Sequence, residues 1–282
     1  MRKRRISYVG ALGLALAVAI PGTAMATGTQ SVQAGFLPEF NANISQPPPT
    51  ANTGSENSKA GTLYTRLFLA NIPPGSRPSS AGVFDIHAPE ELTFNTKGLA
   101  QCDPAQIQGQ STELAEDICS KSLIGSGSAS AALGSTGAVI TGGTSLFNGT
   151  PQNGSPTVLF HSTAGTPVTL VSEMQQSPLP GYGVLFHTLV AQGAGGGVPD
   201  GTPIIDTDFT ISKKYTDKKI LKKAKKAKKQ GNTKKYKKLK KKSKKSWVVG
   251  KCTDGTLETQ INVSYIAGGG PPQQANASQS CN

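Results

Sequence analysis

Residues Leu257, Thr259, Ile261, Val263 and Tyr265 alternate with Glu258, Gln260, Asn262 and Ser264. That period of two predicts a strand over 256–266, one face buried and the other wet. Shorter runs rich in β-branched and aromatic residues predict strands at 62–70, 83–87, 92–95, 158–162, 168–172, 184–190, 206–212 and 247–251. Glycine- and proline-rich turns separate most of them. The stretch 125–143 is too poor in bulk to pack as a core helix and reads as strands of small side chains joined by turns. Helical signals are sparse in the body. Asp103-Pro104 is an N-cap followed by proline at the first helical position, predicting a short helix over 104–108, and a weaker one is predicted over 112–118. Many short strands at close spacing argue for an all-β protein with an antiparallel, β-sandwich-like or barrel body, carrying short helices near the first cysteine pair.

The pattern changes at both ends and once inside. Arg2-Lys3-Arg4-Arg5 precedes an apolar stretch over 9–20, a Pro21-Gly22 break and Ala24-Met25-Ala26. A basic start, a short apolar core and an A-x-A site make residues 1–26 a secretory signal peptide, cleaved near Ala26. The apolar stretch is too short to cross a bilayer comfortably, and no transmembrane segment is expected in the mature chain. Residues 27–60 read as a mostly disordered linker, with one short strand allowed over 36–44. Residues 61–212 form the β-rich body, 213–246 a lysine-rich insertion, 247–266 the final strands and 267–282 a flexible tail.

Four cysteines remain after export, Cys102, Cys119, Cys252 and Cys281. An even count in an exported chain favours disulfides. Of the three possible pairings, proximity favours Cys102–Cys119 and Cys252–Cys281. Without C-x-x-C spacing, a metal site is not expected, and no motif asks for a cofactor.

The formal charge of +13 is unevenly placed. Residues 213–251 hold 20 lysines and one acid, Asp217. Outside that stretch and the signal peptide, five basic residues (Lys59, Arg66, Arg77, Lys97 and Lys121) face 15 acids. The molecule is therefore an acidic body with a strongly basic insertion between two strands. Ile220, Ala224 and Ala227 fall at i, i+4 and i+7, a thin helical stripe, and Gly231-Asn232 breaks the run ahead of Tyr236 and Leu239. Two short helices folded at that break fit the pattern, against repulsion between lysines at i,i+4. A partly helical or disordered arm is expected. Its candidate polyanion-binding residues are Lys218, Lys219, Lys222, Lys223, Lys225, Lys226, Lys228, Lys229, Lys234, Lys235, Lys237, Lys238, Lys240, Lys241, Lys242, Lys244 and Lys245. Only Tyr215, Tyr236 and Trp247 offer stacking surfaces near them, so sequence-specific nucleic-acid binding is not expected. Anionic polymers or an anionic lipid surface are the partners such a run would meet outside a cell.

Catalytic signals are weak. The three histidines are His87, His161 and His187. His161 and His187 each follow a Leu-Phe pair in similar five-residue segments, 158–162 and 184–188. If those strands were neighbours, the two imidazoles would share a face, and with a strand carboxylate they would outline a hydrolase. Neither H-E-x-x-H nor G-x-S-x-G occurs. Asp206 and Asp208 point to one face of a strand and read as solvated acids. Asn-x-Ser/Thr triplets stand at Asn43, Asn148, Asn153, Asn262 and Asn276. No catalytic residue is assigned.

Cys102-Asp103-Pro104-Ala105-Gln106, Cys119 and Leu123-Ile124-Gly125-Ser126-Gly127 resemble exported β-rich proteins of high-GC Gram-positive bacteria. Lys213-Lys214-Tyr215, Trp247, Cys252 and the strand at 256–266 follow the same layout, so the resemblance covers about residues 60–282. It implies export and a β-rich fold but brings no activity with it. The expectation is a secreted or envelope-associated, non-enzymatic binding module. Its rivals are the hydrolase above and a structural surface component whose acidic body and basic arm self-associate.

Overall fold

The computed structural model describes residues 31–35, 59–60, 63–70, 79–133, 138–190, 203–250, 256–266 and 271–280. The signal peptide, the strand expected over 36–44, Cys252 and Cys281 lie outside the described residues. In chain order the strands begin with β1 (Ser31–Gly35), β2 (Lys59–Ala60), β3 (Leu63–Ala70), β4 (Ala81–Pro89) and β5 (Leu92–Phe94). The short helices α1 (Pro104–Ile107) and α2 (Thr112–Cys119) follow. Then come β6 (Leu123–Leu133), β7 (Ala138–Gln152), β8 (Ser155–Ser162), β9 (Val168–Gln176), β10 (Tyr182–Leu189) and β11 (Ile204–Ile211). The lysine-rich part contains β12 (Lys214–Thr216), α3 (Lys218–Lys229), α4 (Thr233–Ser243) and β13 (Lys244–Ser246). The chain closes with β14 (Val248–Gly250), β15 (Thr256–Tyr265) and β16 (Gln273–Ser280).

Eleven strands form one antiparallel sheet in the order β1-β3-β11-β6-β7-β8-β9-β10-β4-β15-β16. Its edge strands, β1 and β16, come alongside each other, so the sheet curls round and its opposite walls face across an apolar interior. The all-β, sandwich-like body is thus built from one continuous sheet, which removes most of the exposed edge. Small residues on β6 permit the curl. A Cβ at Gly125 or Gly127 would collide with the carbonyl oxygens of Thr210 and Asp208 on β11, so only glycine lets the two backbones approach there. Between β7 and β8, Asn153 and Gly154 both take positive φ (49° and 82°) and make the tight hairpin turn.

The strands deliver the expected alternation. On β15, Leu257, Thr259, Ile261 and Val263 are buried and their neighbours are not. The interior holds Phe84, Leu146, Val158, Phe186, Phe209 and Ile261, among others. One end is closed by the small sheet β2-β14-β5, which carries Leu92, Phe94 and Val248 and is followed closely in packing by Trp247. Trp247 is fully buried, with its ring 5.2 Å from that of Phe94.

A second, smaller core lies on the outer face of β7 and β8. There α1 and α2 cover Phe147 and Leu159 with Ile107 and Ala115, and the Cys102–Cys119 disulfide ties the segment at both ends. Both helices start as their sequences require. Asp103 accepts from the Ala105 N–H with Pro104 next in line, and Ser111 accepts from the Leu114 N–H. Closing a loop of this length contributes roughly 3 kcal/mol in the chain-entropy description.

Two expectations need correction. Residues 267–282 are not a free tail throughout, since Gln273–Ser280 form β16, in full register with β15. The segment is polar, but Ala277 is buried and Ala275 packs against the interior cluster, enough for a strand that is held mainly by its backbone ladder. Likewise the 27–60 segment is not linker throughout: it contributes β1 to the large sheet and β2 to the small one.

Candidate functional site: a lysine-covered helical hairpin

The insertion is helical. Asp217 caps α3 by accepting from the Ile220 N–H at 3.0 Å, and Asn232 caps α4 by accepting from the Lys235 N–H at 2.9 Å. Between them Gly231 takes a φ of +74°, which reverses the chain. The two helices lie against each other as a hairpin. The stripe read from the sequence becomes the seam, for Ala224 and Ala227 are buried and Ile220 half-buried. From α4, Ser243 is buried, and Tyr236 and Leu239 are half-buried. Lys228 and Lys240 stand over the Tyr236 ring at 5.6 and 5.8 Å.

Every lysine from Lys218 to Lys244 is exposed. Lys245 alone among the candidates is half-buried, its Nζ 4.0 Å from the Asp217 carboxylate. Asp217, the sole acid of the insertion, is thus engaged as a helix cap and by Lys245, and offers nothing to neutralise the outer face. Neither α3 nor α4 has an acid in its first turn. Apart from the Asp217 cap of α3, the first turns of both helices therefore carry lysines rather than carboxylates.

The hairpin stands on a rigid neck. Strands β12 and β13 pair antiparallel, Lys214 opposite Ser246 and Thr216 opposite Lys244. Tyr215 donates its hydroxyl hydrogen bond to the Asn95 and Lys97 carbonyls at 3.0 and 2.9 Å. Asn95 in turn donates its side-chain amide to the Ser246 carbonyl and its backbone N–H to that of Trp247. Of the possible stacking groups, Trp247 belongs to the core and Tyr215 to the neck; Tyr236 remains half-exposed on the hairpin. Sequence reasoning missed the part played by Asn95, whose partners lie some 150 residues away in the chain.

The histidines do not converge. His161 on β8 and His187 on β10 point to the same outer face, but β9 separates their strands. By register His187 lies level with Thr157 rather than with His161, about 16 Å away at ordinary strand spacing. His187 Nδ1 lies 2.6 Å from Asp85 Oδ1, with both side chains partly exposed. His161 is fully buried under the α1–α2 segment, its Nδ1 2.9 Å from Thr169 Oγ1. His87 is buried too, 3.0 Å from Ser177 Oγ and 3.2 Å from the Asn262 amide. Burial pushes the pKa of both His87 and His161 below the usual value. Asp85 opposes this at His87, and the Gln110 carbonyl opposes it at His161.

Both rings are thus neutral in the fold, while the unfolded chain takes up protons near pH 6.5. The unfolded state then binds more protons, so stability is full above about pH 6.5 and falls as pH drops below it. The thermal midpoint is expected to decline as pH falls below about 6.5, and His161→Gln with His87→Gln to flatten that decline. An unchanged slope in the double variant would count against this assignment.

Asp208 accepts from the Ser128 N–H and hydroxyl at 2.9 and 3.2 Å on the outer face of β11. Asn148 is buried and donates to the Thr96 and Ala100 carbonyls, so the folded chain does not present it for glycosylation. Among the described residues no helix is long and apolar enough to cross a membrane. Comparison with family models, curated proteins and solved structures finds no match to this chain.

Proposed function

We propose that the protein is an exported, non-enzymatic binding module that contacts anionic polymers or anionic lipid surfaces through the α3–α4 hairpin. The observation that carries this reading is the uninterrupted exposure of the lysines from Lys218 to Lys244 on a preformed hairpin whose two helices pack on each other. A solvated insert without a ligand would gain nothing from this arrangement, because lysines at i,i+4 such as Lys218 and Lys222, or Lys222 and Lys226, repel along each helix. An anionic surface relieves that repulsion, and each lysine brought near one is worth about 1 kcal/mol. The signal-peptide pattern and the disulfide chemistry favour a place outside the cytosol, as does the resemblance to exported proteins of high-GC Gram-positive bacteria.

Co-sedimentation of residues 27–282 with lipid vesicles tests the reading. Binding is expected to vesicles containing about a third phosphatidylglycerol and not to pure phosphatidylcholine, with helical ellipticity rising on binding. Equal binding to both, or to neither and to no polyphosphate, would overturn it.

A further inference from the structure

Inside the curled sheet lies a cavity of about 100 Å³, with a smaller void of about 30 Å³ beside it that shares Ile86, Phe160 and Phe209. The walls come from three consecutive strands, with Thr144 on β7, Phe160 on β8 and Leu170 on β9, and from two that join from elsewhere in the chain, with Phe84 and Ile86 on β4 and Phe209 on β11. Ile86, Phe160 and Leu170 line this interior yet are only partly buried. A packed core of this kind would leave few voids larger than a water molecule. No lining residue carries a charge. One polar feature stands out: the Thr144 hydroxyl is buried without a hydrogen-bond partner, on a residue only 3% exposed.

We propose that this cavity is a binding site for a small, uncharged, largely apolar molecule bearing one hydroxyl or carbonyl, which pairs with Thr144. Three features narrow the ligand class. The absence of charge in the lining excludes an ion, whose desolvation nothing there would offset. The aromatic and aliphatic walls favour a compact ring or short hydrocarbon, and the cavity and its adjoining void, about 100 and 30 Å³, together approach the roughly 150 Å³ that holds benzene. The orphaned hydroxyl asks for one polar partner, because an unmade buried hydrogen bond is costly and a made one is not. The site is independent of the lysine hairpin.

The test uses benzene and phenol, which differ by a single hydroxyl, titrated into the full chain by calorimetry or NMR. Both are expected to bind. Thr144→Val is expected to weaken phenol by about five- to ten-fold and to leave benzene unchanged or slightly tighter. Ala129→Leu, which fills the cavity from β6, is expected to weaken both. A cavity that holds only water binds neither compound, and that result overturns the proposal. So does an Ala129→Leu variant that folds and binds as the parent does, or a Thr144→Val variant that affects both compounds alike. Should Ala129→Leu fail to fold, the selective loss of phenol in Thr144→Val decides the matter.

Discussion

Excision of the hairpin at its neck is expected to lower affinity for anionic vesicles by at least about 100-fold while leaving the body folded. That factor needs only two or three lysines at about 1 kcal/mol each, and the hairpin exposes many more. The position of the cut follows from the structure. Thr216 and Lys244 already face each other across the β12–β13 ladder, so replacing 217–243 with Asn-Gly joins them through a favoured two-residue turn. A cut extended through residue 245 would instead destroy β13, and with it the Tyr215 and Asn95 contacts that seat the neck. The variant should keep the Trp247 bands of the parent's near-ultraviolet spectrum, losing only the contribution of Tyr236, and unfold within a few degrees of it. A variant that binds as tightly as the parent would remove the hairpin from the function. One that cannot fold would mean the hairpin supports the body, contrary to the exposure of its lysines.

Trp247→Ala should have the largest effect on stability, about 3–5 kcal/mol, as for other fully buried tryptophans. For a chain of this size that corresponds to a drop in thermal midpoint on the order of 10 °C. Trp247 is completely buried against Phe94, which packs edge-on against Phe186 at 5.0 Å, and it stands between β13 and β14 where hairpin and body meet. Its indole N–H has no partner, so Trp247→Phe removes an unsatisfied donor along with some bulk and should cost much less than the alanine variant. Circular dichroism checks both, since Trp247 is the only tryptophan. The alanine variant should retain vesicle binding at temperatures where it is folded, because the lysines are untouched. Loss of binding without loss of stability would mean that Trp247 contributes to the binding surface, which its burial opposes.

How far the sequence reveals the molecule depends on how local each feature is. The alternation in β15 is visible because Leu257, Ile261 and Val263 are bulky and their neighbours polar. The start of α1 is visible because Asp103 and Pro104 act within three residues. The hairpin seam is visible because Ile220, Ala224 and Ala227 repeat at helical spacing. By contrast β16 is polar and brings small residues, Ala275 and Ala277, to the interior, so its composition reads as tail although the edge of β15 holds it in register. The neck was hidden because Tyr215 and Asn95 meet across about 120 residues. The cavity was hidden because its walls close only when β11 pairs with β6 and β4 with β10, at the two ends of the β6–β10 meander, and no local pattern encodes those pairings.

The most direct test of the account is the salt dependence of binding to duplex DNA, used as a polyanion of known charge density. The logarithm of affinity should fall linearly with the logarithm of salt concentration, with a slope near −0.9 for each lysine contact. Changing Lys222, Lys223, Lys225 and Lys226 together to glutamine should make that slope shallower, by up to about 0.9 per lysine engaged, while the helical content is kept. A slope near zero in the parent, or one that the glutamine variant leaves unaltered, would contradict the claim that the exposed charge of the hairpin does the binding.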